Sequence, residues 1–222
     1  MPRITDPQDE PFDVLDFDGR PTGVIKLRGE IHRDGDWHRG LHIWIYGFDE
    51  KRQPFVLFQR RSEGKDTWPG ALDVAVGGHF RAGETLRETL REAEEEIGLE
   101  AGLDELVPLG RRFIDSHGPG YVDRELNEVF ALRCDQPLVC YKLHPDEVAG
   151  IVAIELSQVI ALFAGTLEAA TASEVQLDGS GHRITVTISD FAGDREDYAQ
   201  AALAGVQTLA AGHRPESFLI LP

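Results

Sequence analysis

Between Gly77 and Leu99 a glycine-rich loop, Gly77-Gly78-His79-Phe80-Arg81-Ala82-Gly83, runs directly into a helix-forming stretch dense in glutamate. On an ideal helix, at about 100° per residue, Glu88, Glu92, Glu95 and Glu96 fall on one arc and Leu86, Leu90, Ala93 and Ile97 on the opposite one. One face packs and the other gathers carboxylates. Carboxylates so crowded repel each other by roughly 1 kcal/mol per close pair in water and about 4 kcal/mol where the effective dielectric falls near 20. A bound divalent cation removes that cost. Oxygen ligands of this kind suit Mg²⁺, Mn²⁺ or Ca²⁺ rather than Zn²⁺, and Mg²⁺ usually shares its shell with water and substrate phosphates. Taken alone, a run of glutamates also reads as a solvated helix face. The loop argues against that reading, because Gly77-Gly78 lets the backbone approach a ligand or ion and Gly83 allows a tight turn immediately before the helix.

The segment resembles the Nudix box, whose pattern is Gly, five residues, Glu, seven residues, Arg-Glu-apolar, any, Glu-Glu, any, Gly-apolar. Gly78 and Glu84 fit the first spacing, and Arg91-Glu92-Ala93-Glu94-Glu95-Glu96-Ile97-Gly98-Leu99 fits the second half at every position. Six residues, rather than seven, separate Glu84 from Arg91. That predicts a shortened junction between loop and helix, and it bears on Glu84 more than on Glu92, Glu95 and Glu96. The resemblance implies a Nudix α/β/α sandwich, with a mixed sheet between the box helix on one side and the helices of the carboxyl-terminal part on the other. It implies also that Glu92, Glu95 and Glu96 hold Mg²⁺ (or Mn²⁺), with the Gly77 carbonyl as a backbone ligand. Glu95 and Arg91 then belong to the catalytic set, Arg91 by orienting the carboxylates.

The elements that must position this loop and helix are read from period and turn signals. Residues 12–17 alternate like a strand, Asp18-Gly19 marks a turn, and residues 22–27 return as a hairpin. Arg28 to Gly40 is too polar and glycine-rich for a core element. Its His32 and His38, with His42 close by, read as polar loop histidines and a strand residue rather than as a metal site. Strands follow over residues 41–48 and 54–61, the second ending at Arg60 and Arg61, where the two guanidinium groups either meet a substrate phosphate or end a strand in solvent. Residues 71–76 form the strand that delivers the chain to Gly77. Beyond the box, residues 106–114 form a strand, Asp115 to Gly120 a loop containing Pro119, and residues 121–133 another strand. Residues 148–154 form the last sheet strand, 157–164 begin a helix stopped by Gly165, 174–177 and 183–188 pair as a hairpin, and 198–211 form an amphipathic helix closed by Gly212. The whole reads as a single Nudix domain, residues 1–222, with the hairpin at about 12–27, the box at 77–99 and a carboxyl-terminal extension at about 165–222. That extension either caps the substrate pocket or builds a homodimer, and the sequence does not choose.

The flanks sharpen the resemblance. His32-Arg33-Asp34-Gly35-Asp36, the strand from His42, Arg60-Arg61-Ser62, Trp68-Pro69-Gly70 and Gly78-His79 are together similar to the Nudix branch that includes isopentenyl-diphosphate isomerase and its hydrolase-like relatives. In the isomerase a catalytic Cys stands two residues before the loop His. Here that place is Gly77, which offers no thiol to exchange protons on a carbon skeleton. The similarity places Glu125 where the isomerase has its second active-site carboxylate, and so adds Glu125 to the catalytic candidates, while Arg60, Arg61 and His79 are the candidates for substrate binding. The reaction implied is metal-dependent hydrolysis of a diphosphate linkage in a nucleoside diphosphate joined to a group X, or in a related small diphosphate. An isomerase-like enzyme, disfavoured by Gly77, and a non-catalytic metal-dependent binding module are the alternatives.

Composition narrows the partners. A net charge of −17 over 222 residues gains nothing from counterion release, which argues against nucleic-acid polymers and anionic membranes and leaves a small-molecule diphosphate brought in with its metal. The longest apolar run, Val148 to Ile154, is far short of the roughly 20 residues that span a bilayer. With Asp6, Asp9, Glu10, Asp13, Asp16 and Asp18 near the start, no cationic targeting segment is present, and Cys134 and Cys140 read as reduced core residues. A cytoplasmic protein is the expectation.

Overall fold

Apolar residues in the segment around Ile43 are continuous rather than alternating, the pattern of a strand covered on both faces. In the computed structural model, which describes residues 7–65, 67–118, 121–193 and 196–221, this segment is the central strand. The elements in chain order are β1 (Pro11–Leu15), β2 (Pro21–Leu27), α1 (Arg28–Asp34), β3 (Trp37–Phe48), β4 (Pro54–Arg61), β5 (Leu72–Val74), β6 (Val76–His79), α2 (Leu86–Thr89) and α3 (Arg91–Ile97). They continue with β7 (Val107–Gly118), β8 (Tyr121–Arg133), β9 (Val148–Glu155), α4 (Leu156–Phe163), β10 (Ala170–Gln176), β11 (Gly181–Val186), α5 (Glu196–Ala210) and β12 (Phe218–Ile220).

One mixed sheet runs in the order β11-β10-β9-β4-β3-β8-β7-β12. β3 lies parallel to β8 from Trp37 to Tyr46, but meets β4 only at its far end, Tyr46 to Phe48. Over its first half it pairs instead with β6, Gly40 to Ile43 against Val76 to His79, while β4 pairs with β5. The sheet is therefore split between β3 and β4, and the β5–β6 segment carries Gly77-Gly78 into the split. Ile43 and Ile45 of β3 pack with Leu57, Ile151, Ala93 and Ile97 on the α3 side. Trp44 and Tyr46 pack with Val56, Phe58, Val159 and Leu203 on the side of α4 and α5. Each such apolar side chain, fully buried, stabilises the fold by about 1.5–3 kcal/mol. The two clusters make the expected three-layer α/β/α sandwich.

Four local expectations are revised. The polar segment after Leu27 is a helix, α1, whose one core residue, Ile31, is fully buried against Phe12 and Val14 of the hairpin; the Leu27 N–H donates to Glu30 Oε2 at 3.1 Å, and Gly35 ends the helix at φ 71°. A single apolar contact suffices because the β1–β2 hairpin covers it. Asp115 to Gly118 continue β7 in register with β8, so the long hairpin replaces the expected loop there; Pro119 and Gly120 lie outside the described residues. β9 is not the last sheet strand: β10 and β11 extend the same sheet, and β12 adds to its other edge, parallel to β7. Of the two cysteines, both free, Cys134 is half-buried and Cys140 exposed. No helix among the described residues is long and apolar enough to cross a membrane.

Candidate functional site

The site opens where the split sheet meets the loop before α2. Gly78 is there by necessity: a Cβ on it would lie 2.4 Å from Glu92 Cγ, so only glycine lets the helix carboxylate come against the strand. Gly83 turns the chain at φ 76° and its N–H donates to Asp13 Oδ2 at 2.8 Å, tying the loop to the hairpin. The one-residue-shorter spacing between Glu84 and Arg91 appears as a break. α2 ends at Thr89 and α3 starts at Arg91, with Leu90 at φ −62°, ψ −13° between them. The break takes Glu88 off the arc expected of it. Exposed, Glu88 caps α2 by accepting the Thr85 N–H at 2.8 Å.

Arg91 is the hub of the box. Its guanidinium donates twice to Glu84, at 3.0 and 3.1 Å, once to Glu95 at 3.1 Å, and also to Glu92 and to the His79 carbonyl. Partial burial disfavours charge on Glu84, yet Arg91 and the Arg81 N–H hold its carboxyl below the usual range. For Glu92 burial outweighs Arg91 and the carboxyl is raised. Glu96, 5% exposed, accepts from Gln59 Nε2 at 3.1 Å and from the Gly77 N–H at 3.3 Å. Burial and the charge of Glu92 push it well above the usual carboxylate range. Glu95 is half exposed. A buried and a partly buried carboxylate, Glu96 and Glu92, beside a glycine strand fit a hard divalent cation, as both the charge and the oxygen donors require. Among the described residues Glu92, Glu95 and Glu96 do not close into a ready cage, since the Arg91 guanidinium lies between Glu92 and Glu95.

A second cluster forms on β3 and β8. His38, fully buried and not a loop residue, packs in a three-ring cluster with Phe12 and His79, its ring centroid 5.5 and 5.3 Å from theirs. Burial first, and then the neighbouring His79, lower its pKa to about 3, so it is neutral. Ligand atoms of His32, His38 and Asp123, and separately of His38, His79 and Glu125, lie within 4.8 Å of one another. Imidazole and carboxylate donors so placed could hold a transition metal. The expectation that His32 and His38 are polar loop residues is thus replaced. Glu125 is bonded through both oxygens, to His79 Nε2 at 3.0 Å and from Asn127 Nδ2 at 2.8 Å. Burial opposes its charge, but these hydrogen bonds and the positive side of His79 win, and its pKa falls well below the usual range. Asp123, Glu125 and Asn127 alternate along β8, a polar row of period two that marks one strand face. Neither Asp123 nor Asn127 was singled out from the sequence, although that period was the available signal. Glu128, three residues from Glu125, pairs with Arg39 instead.

Gly77, Arg91, Glu92, Glu95, Glu96, His79, Glu125 and Arg61 all line one cavity of about 1240 Å³. Arg61 is held there by Asp73 and by the Thr67 carbonyl at 2.9 Å. Arg60 is the exception among the candidates: it bonds Glu174 and the Gly70 carbonyl and does not line the cavity. Strand alternation turns it away from Arg61. Tyr198 of α5 and Ile220 and Leu221 at the end of the chain form part of the wall, so the carboxyl-terminal extension borders the pocket.

A NUDIX domain model matches residues 37–172. The chain is 31% identical over 176 residues to an uncharacterised Nudix hydrolase of Clostridium acetobutylicum, covering 79% of this chain and 84% of that one. It is 39% identical over 149 residues, 64% of its length, to Nudix hydrolase 3 of Arabidopsis thaliana, of which it spans only 19%. In fold it resembles a crystal structure from Deinococcus radiodurans, with a TM-score of 0.57 at 21% identity, covering 87% of this chain and 99% of that one. Box, sheet topology and relatives agree: the chain belongs to the Nudix hydrolase family.

Proposed function

We propose that the protein is a metal-dependent hydrolase that cleaves the diphosphate linkage of a nucleoside diphosphate joined to a group X, or of a related small diphosphate. The observation that carries this reading is the pairing of buried Glu96 with partly buried Glu92 against Gly77-Gly78, their carboxyls raised by desolvation and, at Glu96, by the neighbouring charge. Glu92, Glu95, Glu96 and the Gly77 carbonyl would hold Mg²⁺ or Mn²⁺. Bound there, the ion supplies charge neutralisation at the bridging phosphates and a more acidic water.

The chain's own groups do the rest. Arg91 orients Glu84, Glu92 and Glu95 and remains charged throughout. Arg61, steadied by Asp73 and Thr67, presents a guanidinium face to a phosphoryl group. Glu125, ionised and aimed by His79 and Asn127, takes the proton of the attacking water. Neutralised by that proton, Glu125 stays in place through its contacts with His79 Nε2 and Asn127 Nδ2. An isomerase reading lacks an acid at Gly77 on the carbon side. The test is a screen of nucleotide sugars, dinucleotides, nucleoside triphosphates, thiamine diphosphate and prenyl diphosphates with Mg²⁺ or Mn²⁺, reading released phosphate directly and the other products by chromatography and mass spectrometry. Turnover of a diphosphate compound is expected; conversion of isopentenyl to dimethylallyl diphosphate, without phosphate release, would replace hydrolysis by isomerisation.

A further inference from the structure

Trp68-Pro69-Gly70 takes no part in the chemistry above, yet it is held under strain at the rim of the cavity. Trp68 lines that cavity and is 53% exposed. Its backbone sits at φ 49°, in the left-handed region that bulky side chains avoid and that glycine or asparagine occupies with less strain. The chain places its largest type of side chain there instead.

Its neighbours maintain the conformation. The Ala71 N–H donates to the Trp68 carbonyl at 3.2 Å, closing a turn with Pro69 in the second place and Gly70, at φ 74°, in the third, the signature of type II. Arg61 grips both flanks: its Nε donates to the Thr67 carbonyl at 2.9 Å, its Nη2 to Thr67 Oγ1 at 3.1 Å, and its own carbonyl accepts the Gly70 N–H at 3.2 Å. Strain that the surroundings hold in place concentrates at ligand clamps and active sites. Packing does not account for it here, since the residue is more exposed than buried.

The rim itself selects the ligand. Arg61, Lys65 and Thr67, close to the indole along the chain, are polar or charged and line the same cavity. An isoprenoid chain laid on such a rim would stay in water. A nucleobase loses little there, because it offers the indole a π-face while its edge heteroatoms remain solvated. Arg61, which presents its guanidinium to a phosphoryl group, also holds Thr67, the residue before Trp68. A nucleoside diphosphate bound by its phosphates therefore brings its base to the indole.

We propose that Trp68 is the platform on which the nucleobase of the substrate stacks, so that the pocket selects nucleoside diphosphate compounds by the presence of a base rather than by its identity. Every base has a π-face, and stacking tolerates them all. The remainder of the cavity, with Ile220 and Leu221 in its wall, receives the group X. The assignment rests on the diphosphate reading above for its phosphate end; the stacking contact is tested by binding alone.

The experiment is ¹⁹F NMR on protein labelled with 5-fluorotryptophan, the Trp68 signal being identified by its loss in Trp68→Phe. Trp44, buried in the core, and Trp37, edge-on to Phe113 at 5.5 Å, serve as internal references. With Mg²⁺ present, the α,β-methylene analogues of ADP and UDP should each move the Trp68 signal, and methylenediphosphonate, which has no base, should not. By calorimetry the nucleoside analogues should bind about tenfold to a hundredfold tighter than methylenediphosphonate, the usual worth of one stacked base, with little difference between the two bases. That gap should close in Trp68→Leu and largely persist in Trp68→Phe. The ¹⁹F comparison is made on the parent chain, so it decides even where Trp68→Leu fails to fold. An affinity gap unchanged in Trp68→Leu, no shift with either nucleoside analogue, or a shift as large with methylenediphosphonate overturns the platform; a Trp68 signal moved by geranyl diphosphate alone assigns the rim to an apolar chain and overturns it too. A strong preference between the two bases overturns selection by presence alone. Nucleoside-dependent shifts beside a screen without turnover would sink the hydrolase reading and leave the platform standing, and turnover of nucleoside diphosphate compounds with Trp68 unmoved would do the reverse.

Discussion

Replacing Glu96 by Gln should make the metal-free protein more stable while abolishing its response to metal. Glu96 is buried, and both of its hydrogen-bond donors, Gln59 Nε2 and the Gly77 N–H, can be accepted equally well by an amide oxygen. What the substitution removes is a charge that burial and Glu92 both oppose. Removing that charge while keeping both hydrogen bonds should stabilise the metal-free protein by about 0.5–2 kcal/mol, the usual size of a stabilising single substitution. For a chain of this length that is a rise of about 1–8 °C in Tm in the presence of chelator. The pH dependence has a definite sign. Below the usual carboxylate range Glu96 is protonated in both states and the two proteins differ little. As pH rises beyond that range the unfolded chain ionises while native Glu96 retains its proton, and parental stability falls until its raised pKa is passed. The gap between variant and parent therefore widens with pH. At a hundredfold excess of Mg²⁺ over Kd the parent gains about 2.7 kcal/mol, enough to reverse the order of the two melting temperatures, and the variant gains little. Differential scanning fluorimetry across pH, with EDTA and with Mg²⁺, reads all of this. A variant that melts below the parent in EDTA, or that gains as much from Mg²⁺, would refute the reasoning.

Glu125→Gln should lower kcat by about 10²–10⁴-fold, the usual contribution of a positioned base, while Glu128→Gln, whose residue pairs with Arg39, should change it little; equal small losses would remove Glu125 from the mechanism. Gly78→Ala places a Cβ 2.4 Å from Glu92 Cγ and should erase the Mg²⁺-induced rise in Tm, so an unchanged metal response by calorimetry would show that Glu92 is free to move. Arg61→Gln should raise KM for the diphosphate several-fold, whereas Arg60→Gln should act on stability alone through its pair with Glu174; steady-state kinetics and melting curves on the two variants separate these outcomes.

The box could be read from sequence because its residues are tied to local geometry. Gly78 and Glu92 touch, and Arg91 reaches Glu84 and Glu95 within one short stretch of chain, so spacing along the sequence is nearly spacing in space. The shortened junction was legible as a count, but its form, a break at Leu90 that keeps Glu84 on Arg91 and frees Glu88 for capping, depends on how the loop docks on Asp13 and Glu10. α1 was hidden because periodicity needs several apolar residues and this helix uses only Ile31. Arg60 and Arg61 looked alike because adjacency says nothing of face, and β4 shifts register against β9 at that very pair.

What the sequence withheld is contact between distant segments. His32 and His38 read as polar until β8 is laid parallel to β3, which sets Glu125 opposite His38 and brings Asp123 close to both histidines. The same holds for Tyr198, 156 residues from His42, whose amphipathic helix shows only that it packs somewhere. Once the fold is in hand, the extension can no longer be treated as an appendage beside an independent site. β12 is zipped to β7, Ile220 and Leu221 border the cavity, and Tyr198 touches a histidine opposite Gly77. With a pole of carboxylates supplied by the box and a wall supplied by the last fifty or so residues, the proposed metal chemistry and substrate choice should be separable by mutation. Changes at Ile220 or Leu221 should redistribute KM among diphosphate compounds with the metal-induced rise in Tm unchanged, and a loss of metal response from either would mean that the wall also holds the box in place.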